Sequence, residues 1–83
     1  MKGSCVPVNN LPLYKESAPG RHLVRMSEKL PAGTTIFVTH SSWENVQGDN
    51  GKIANKHFAR FQAKGNMYWT LVSHVPKLTK PLW

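Results

Sequence analysis

Short runs of alternating apolar and polar residues dominate the hydrophobic pattern of this chain. Residues 57–63 and 67–73 both alternate, with Phe61 on the apolar side of the first run and Trp69 on that of the second. The Lys-Gly-Asn sequence at 64–66 separates the runs and has the composition of a tight turn. Because period-two alternation is typical of half-buried strands, these runs predict a β-hairpin.

Other segments predict further short strands and little helix. The clearest is residues 34–39, rich in Thr, Ile, Phe and Val, which favour strands. Six Pro and six Gly leave few uninterrupted windows of ordinary helix length. The remaining predictions are strands at residues 5–9, 11–14, 22–26 and 79–83, turns at 17–21 and 30–33, and one 3₁₀ turn at 74–78.

The polar segment 41–56 allows two interpretations. Gly-Asp-Asn-Gly at residues 48–51 is a strong turn signal. Trp43 and Val46 precede this turn and Ile53 follows it, which is compatible with an extra hairpin. Neither arm alternates cleanly, so a long irregular loop is the other interpretation.

These segments together predict the fold class and the number of domains. The 83 residues allow one domain, covering residues 1–83. Five to six short, closely spaced strands are typical of a small all-β barrel or sandwich. The sequence therefore predicts an all-β domain with a thin core.

The order of these pieces resembles the bacterial SH3-like (SH3b) domain family. Leu-Pro-Ala-Gly-Thr at residues 30–34 is similar to the family's Leu-x-x-Gly-Thr turn and leads into its Val/Ile-rich strand. Residues 57–61 and 68–73 are similar to its two later aromatic strands, with Phe58 in place of Trp and Tyr68 in place of Gly. The resemblance implies a stand-alone SH3-like barrel with a 3₁₀ turn near the C-terminus and an enlarged loop at 41–56.

Charge widens the range of possible partners without selecting one. Eleven Lys and Arg against four Asp and Glu give a formal net charge of +7, which favours encounters with nucleic acid, acidic proteins or anionic surfaces. The cations form no continuous run. One cysteine, Cys5, and no apolar leader or membrane span predict a soluble cytoplasmic protein.

Aromatic residues are the first candidate binding residues. Trp43 lies in a polar stretch, where it is either a binding residue or a cover over one end of the barrel. SH3-type barrels present aromatic side chains to extended peptides, and ordinary core packing is the alternative for each ring. The candidate protein-binding residues are Tyr14, Trp43, Phe58, Tyr68 and Trp69.

Basic residues are the second candidate set. Phosphate binding needs Lys or Arg, and base stacking needs nearby aromatic rings. A solvated, solubilising surface is the alternative for each residue. The candidate basic surface comprises Arg21, His22, Arg25, Lys52, Lys56, Arg60 and Lys64.

Residues with the spacing of a catalytic or metal site are not recognisable in this sequence. The four His and the single Cys show no metal-ligand spacing, so no metal is expected. There is no P-loop or dinucleotide fingerprint, so no cofactor is expected. The four carboxylates lack a pattern that would pair them, and Cys5 lies near a terminus. The sequence therefore predicts a protein that is not an enzyme.

Two function hypotheses follow. The first is a small protein-binding module, an inhibitor or regulator of a larger, acidic partner, because the aromatic set and positive charge suit such association. The second is a nucleic-acid-binding barrel that uses the same cations with interleaved aromatic residues.

Overall fold

Six β-strands and one 3₁₀ turn make up the part of the chain that the computed structural model describes, residues 3–75. The strands are β1 (Gly3–Cys5), β2 (Leu11–Glu16), β3 (Leu23–Leu30), β4 (Ile36–Gln47), β5 (Ile53–Ala63) and β6 (Asn66–Leu71), and the 3₁₀ turn is Val72–His74.

The strands close into a ring. Their order is β4-β3-β2-β6-β5, and β5 pairs again with β4 to complete the ring. Strand β1 is not part of the ring and pairs with the first residues of β4. All pairings are antiparallel except that of β3 with β4, a parallel contact at Leu23 and Val46. The predicted all-β class, a small barrel with a 3₁₀ turn near the C-terminus, is confirmed.

The C-terminal prediction differs in detail. The 3₁₀ turn lies at Val72–His74, earlier than the predicted 74–78. The Val75 N–H donates to the Val72 carbonyl at 3.0 Å and ends this turn before Pro76. The predicted strand at 79–83 lies outside the described residues.

Two hairpins determine how β4, β5 and β6 meet. Lys64 and Gly65, with φ angles of 51° and 78°, form the two-residue turn between β5 and β6. Positive φ at both central positions is typical of the turn whose twist matches a hairpin. The segment 41–56 forms the second hairpin: its arms continue β4 and β5, and the Gly48 N–H donates to the Lys52 carbonyl at 2.9 Å.

Strand bounds differ from prediction for backbone reasons. The first strand ends at Cys5 and stops short of Pro7, which has no N–H to donate to a ladder. Strand β4 runs for 12 residues, well beyond the predicted 34–39. Its polar second half remains a strand because the β5 ladder supplies backbone hydrogen bonds whatever the side chains are.

Two apolar clusters form on opposite faces of β5 and β6. Phe61 belongs to the main cluster and Phe58 to the second one. The main cluster comprises Cys5, Leu11, Leu13, Leu30, Ile36, Val38, Ala59, Phe61, Ala63 and Val75. The second cluster comprises Leu23, Val46, Phe58 and Trp69, with Tyr14 and Leu71 packed against it.

Candidate functional site

The β4–β5 hairpin extends beyond the end of β6, which pairs with only the second half of β5. The β4–β5 ladder runs from the Phe37–Gln62 pair to the Gln47–Ile53 pair. Strand β6 pairs with β5 only as far as Phe58. Residues 43–47 of β4 and 53–57 of β5 therefore extend past the end of β6, and β3 adjoins this segment only at Val46. This segment is called here the projecting hairpin.

One side of the projecting hairpin is uncharged and exposed. Cross-strand partners share a face of a sheet, and so do alternate residues of one strand. The exposed side of the hairpin is therefore the continuation of the side of β5 on which Ala59 and Phe61 contact the main cluster. Trp43 is 66% exposed and Ile53 is 51% exposed. This surface, called the hairpin face, consists of Trp43, Asn45, Gln47, Ile53, Asn55 and His57, and contains no Asp, Glu, Lys or Arg.

Contacts within the hairpin face order its side chains. The Trp43 indole stacks on the His57 ring, with centroids 4.8 Å apart and planes 9° from parallel. The Asn55 side-chain amide donates to the Asn45 side-chain oxygen at 3.1 Å. The His57 ring thus covers one face of the Trp43 indole, and with 66% of its surface exposed Trp43 does not seal the end of the barrel.

The opposite side of the sheet carries a row of basic and aromatic side chains. Direct cross-strand partners form a row through all five ring strands: Arg25, Tyr14, Trp69, Arg60 and His40. The Arg60 guanidinium carbon lies 5.1 Å from the Trp69 ring centroid, and His40 meets the same ring edge-on at 6.0 Å. Together with the second cluster, these neighbours leave Trp69 only 9% exposed.

The predicted aromatic residues divide between the two faces and line no common groove in the described structure. Phe58 is fully buried and meets Tyr14 edge-on at 5.1 Å. Tyr68 projects from the other side of β6 and packs against the main cluster, 5.8 Å from Phe61. Of the five candidate rings, Trp43 is the one with most of its surface open to solvent.

A shallow pocket brings part of the predicted set together. It has a volume of about 190 Å³ and lies beside the second cluster. Tyr14 and Phe58 contribute to its walls together with Arg25 and Lys56, and Asp49 at the hairpin turn adds a negative charge. Two predicted cations thus share one site with two predicted aromatic residues.

The other predicted basic residues are dispersed. Arg21 and His22 lie at the β2–β3 turn, Lys52 at the β4–β5 turn and Lys64 at the β5–β6 turn. Arg60 is half-buried in the row across the sheet. The structure therefore does not bring the seven residues into one continuous stripe.

Cys5, the N-terminal strand's buried thiol, has a limited chemical role. Burial raises the pKa of Cys5, so its side chain stays a thiol at neutral pH, and a thiol is less nucleophilic than a thiolate. Residues 3–75 contain no group of three or more His, Cys, Asp or Glu positioned to hold a metal ion. Within the same part of the chain, no helix has the length and apolar character needed to cross a membrane.

Sequence reasoning singled out Trp43 but not the residues that surround it. Counting outward from the Gly48–Gly51 turn would have paired Trp43 with His57 and Asn45 with Asn55. That register was obscured because neither arm alternates between apolar and polar residues. No family model, curated protein or solved structure matches this chain.

Proposed function

We propose that this protein is a non-enzymatic protein-binding module that binds a larger partner through the hairpin face. The observation that carries this proposal is an indole that is two-thirds exposed (66%) and stacked on the His57 ring with planes 9° from parallel. An ordered aromatic side chain loses little conformational entropy on binding, which is why Trp is frequent among binding hot spots.

The composition of the hairpin face favours protein over nucleic acid as its ligand. The centres of protein interfaces are depleted in charged residues and enriched in aromatic ones. The hairpin face combines Trp43 and Ile53 with three amide side chains and His57, and it lacks the Lys or Arg that phosphate contacts require.

The charge of the whole molecule supports an acidic partner. A net charge of +7 attracts an acidic protein over long range and raises its association rate. The hairpin face itself contains no Lys or Arg, so the dispersed cations can steer the approach without being desolvated in its centre. Together with the SH3-like order of the segments, this supports a small inhibitor or regulator.

Affinity purification from cells of the native source, with and without nuclease, tests the proposal. The Trp43→Ala variant should recover at least about tenfold less partner than the wild type, because the largest exposed apolar side chain among residues 3–75 is lost. Phe37→Ala is the matched control, since Phe37 is an aromatic residue of the same strand and is 39% exposed. Equal recovery by Trp43→Ala and the wild type would contradict the proposal.

A nucleic-acid-binding role is the second candidate, and the shallow pocket is the observation that favours it. Arg25 and Lys56 stand there beside the Tyr14 ring, a combination that suits a phosphate next to a base. If about four phosphates are contacted, log K for an oligonucleotide should fall with log salt at a slope of about −3 to −4. Absence of binding at low salt would remove this candidate.

A further inference from the structure

Among residues 3–75, no strand pairs with the outer edge of the β5 arm of the projecting hairpin, although the 3₁₀ turn Val72–His74 also contacts β5. Residues 58–63 of β5 pair with β4 on one side and β6 on the other. Residues 53–57 pair with β4 alone, and no other described strand lies along their second side. Because N–H and C=O groups of a strand point alternately to its two sides, part of the backbone of these residues is available to another strand.

We propose that an extended, acidic segment of the partner pairs with this edge and adds a strand to the sheet beside β5. This rests on the proposed protein-binding function and names the kind of partner and its mode of binding. Main-chain hydrogen bonds to residues 53–57 supply affinity that does not depend on sequence, and side chains on the two faces supply specificity.

Lys56 determines the charge preferred on one face of the added strand. It is exposed and is the direct cross-strand partner of Glu44 on β4, whose carboxylate accepts a 2.7 Å hydrogen bond from the Ser42 hydroxyl. An Asp or Glu of the partner opposite Lys56 would extend this row with alternating charge, and opposite charges at cross-strand positions stabilise a sheet. A Lys or Arg there would meet repulsion.

The hairpin face determines the preference on the other side. Ile53 and His57 are the edge members of the rows that contain Gln47 and Trp43, respectively. An added strand would place its side chains against them on the same face. Apolar or β-branched side chains there would cover Ile53, which is now 51% exposed. The partner segment should therefore alternate apolar with acidic residues.

Hydrogen exchange of the full-length protein tests first whether the edge is free. Outward-pointing amides within residues 53–57 should exchange much faster than those of residues 58–63 at every protein concentration. Protection that appears only at high concentration would mean that a second copy pairs with the edge, and concentration-independent protection would mean that another segment of the same chain covers it. Either result would overturn the proposal.

The second test uses synthetic peptides with defined patterns. A peptide of alternating valine and glutamate should shift the backbone NMR signals of residues 53–57 and the indole signal of Trp43. A peptide of alternating valine and lysine should shift neither, because it meets Lys56 and the positive field of the protein. Equal effects of both peptides, no effect of either, or shifts confined to other strands would overturn the proposal.

Charge reversal supplies the matched variants. Lys56→Glu should weaken binding of the acidic peptide by at least about tenfold, because an attractive cross-strand pair becomes repulsive at close range. Lys29→Glu changes the net charge by the same amount at an exposed position of β3, and it should change the affinity by no more than about twofold through screened long-range effects. Equal losses from the two variants would show that only net charge matters and would overturn the proposal.

The outcomes for the two proposals are separable. If a cellular partner is lost in Trp43→Ala but fully retained in Lys56→Glu, the hairpin face binds the partner and the edge does not. If the acidic peptide pairs with residues 53–57 while no Trp43-dependent partner is recovered, the edge accepts a strand and the proposed use of the hairpin face is wrong.

Discussion

The two halves of β5 differ although they belong to one unbroken strand. Residues 58–63 lie between β4 and β6 and include Phe58, Ala59 and Phe61, which are fully buried. Residues 53–57 keep the same β4 ladder but lack β6, and Ile53 is half exposed (51%) on the core-facing side. Residues on the same face of β5 thus differ in burial, because those in the half that pairs with β6 are covered and those in the half without β6 are not.

The comparison separates stability from binding. The covered half of β5 should contribute strongly to the free energy of unfolding and the projecting half weakly, because stability follows the apolar area removed from water. The projecting half can then retain exposed apolar residues for a partner. Substitutions in the two halves test this division.

The largest expected effect is that of Phe61→Ala in the covered half. Phe61 is fully buried in the main cluster, and truncating such a residue typically lowers the free energy of unfolding by about 3 to 5 kcal/mol. Ile53→Ala, on the same strand and face, should cost no more than about 0.5 kcal/mol. Urea unfolding of both variants measures the difference, and similar losses would show that the two halves are equally important for stability.

A smaller loss is expected for Thr70→Val, which removes a buried hydrogen bond of the covering strand. The Thr70 hydroxyl donates to the Pro12 carbonyl at 2.8 Å and ties β6 to β2. Its loss leaves a part-buried carbonyl without this donor and should cost about 1 to 2 kcal/mol. Thr35→Val, at an exposed site, is the control for the change in side-chain type. Equal stabilities of Thr70→Val and Thr35→Val would argue against this role.

The two hairpin turns should respond differently to the same substitution. Gly65 and Gly51 have φ angles of 78° and 79°, which L-residues adopt at a cost of about 1 to 2 kcal/mol. Gly65→Ala should lower global stability by about 1 kcal/mol, because its turn joins two covered strands. Gly51→Ala can relieve strain by fraying the projecting hairpin. Thermal and urea unfolding of both variants should therefore show a larger loss of unfolding free energy for Gly65→Ala than for Gly51→Ala.

The smallest effect on folding is expected for Trp43→Ala. The Trp43 side chain is 66% exposed, and its ring stacks on His57 at the surface, so its removal should change the free energy of unfolding by no more than about 0.5 kcal/mol. A loss as large as that of Phe61→Ala would mean that Trp43 supports the fold instead of a binding surface. Urea unfolding followed by circular dichroism avoids dependence on the fluorescence of Trp43.

Local sequence signals predicted the hairpin of β5 and β6 well. Alternation on both arms and Lys64-Gly65 between them are all short-range features, and the structure contains the same turn. The length of β4 was not predictable in this way. Its polar second half is a strand because of pairing with β5, and tertiary pairing outweighs the weak strand propensity of Ser and Asn.

The candidate site was predicted only in part for a similar reason. Trp43 was identified from its polar surroundings, but the distribution of the other rings over two clusters depends on long-range pairing. Tyr14 meets Trp69 across the β2–β6 contact, and no local pattern indicates that contact. Trp69 itself is buried because it packs with Leu23, Val46 and Phe58, which come from three other strands.

The β2–β6 contact also affects when folding can be completed during synthesis. Tyr14 and Trp69 are paired although most of the chain lies between them in sequence. The hairpin of β4 and β5 can form from neighbouring residues, but the ring cannot close until β6 has left the ribosome. Until then the edge of β2 that pairs with β6 lacks its partner strand, and unpaired strand edges of incompletely folded chains are prone to aggregation.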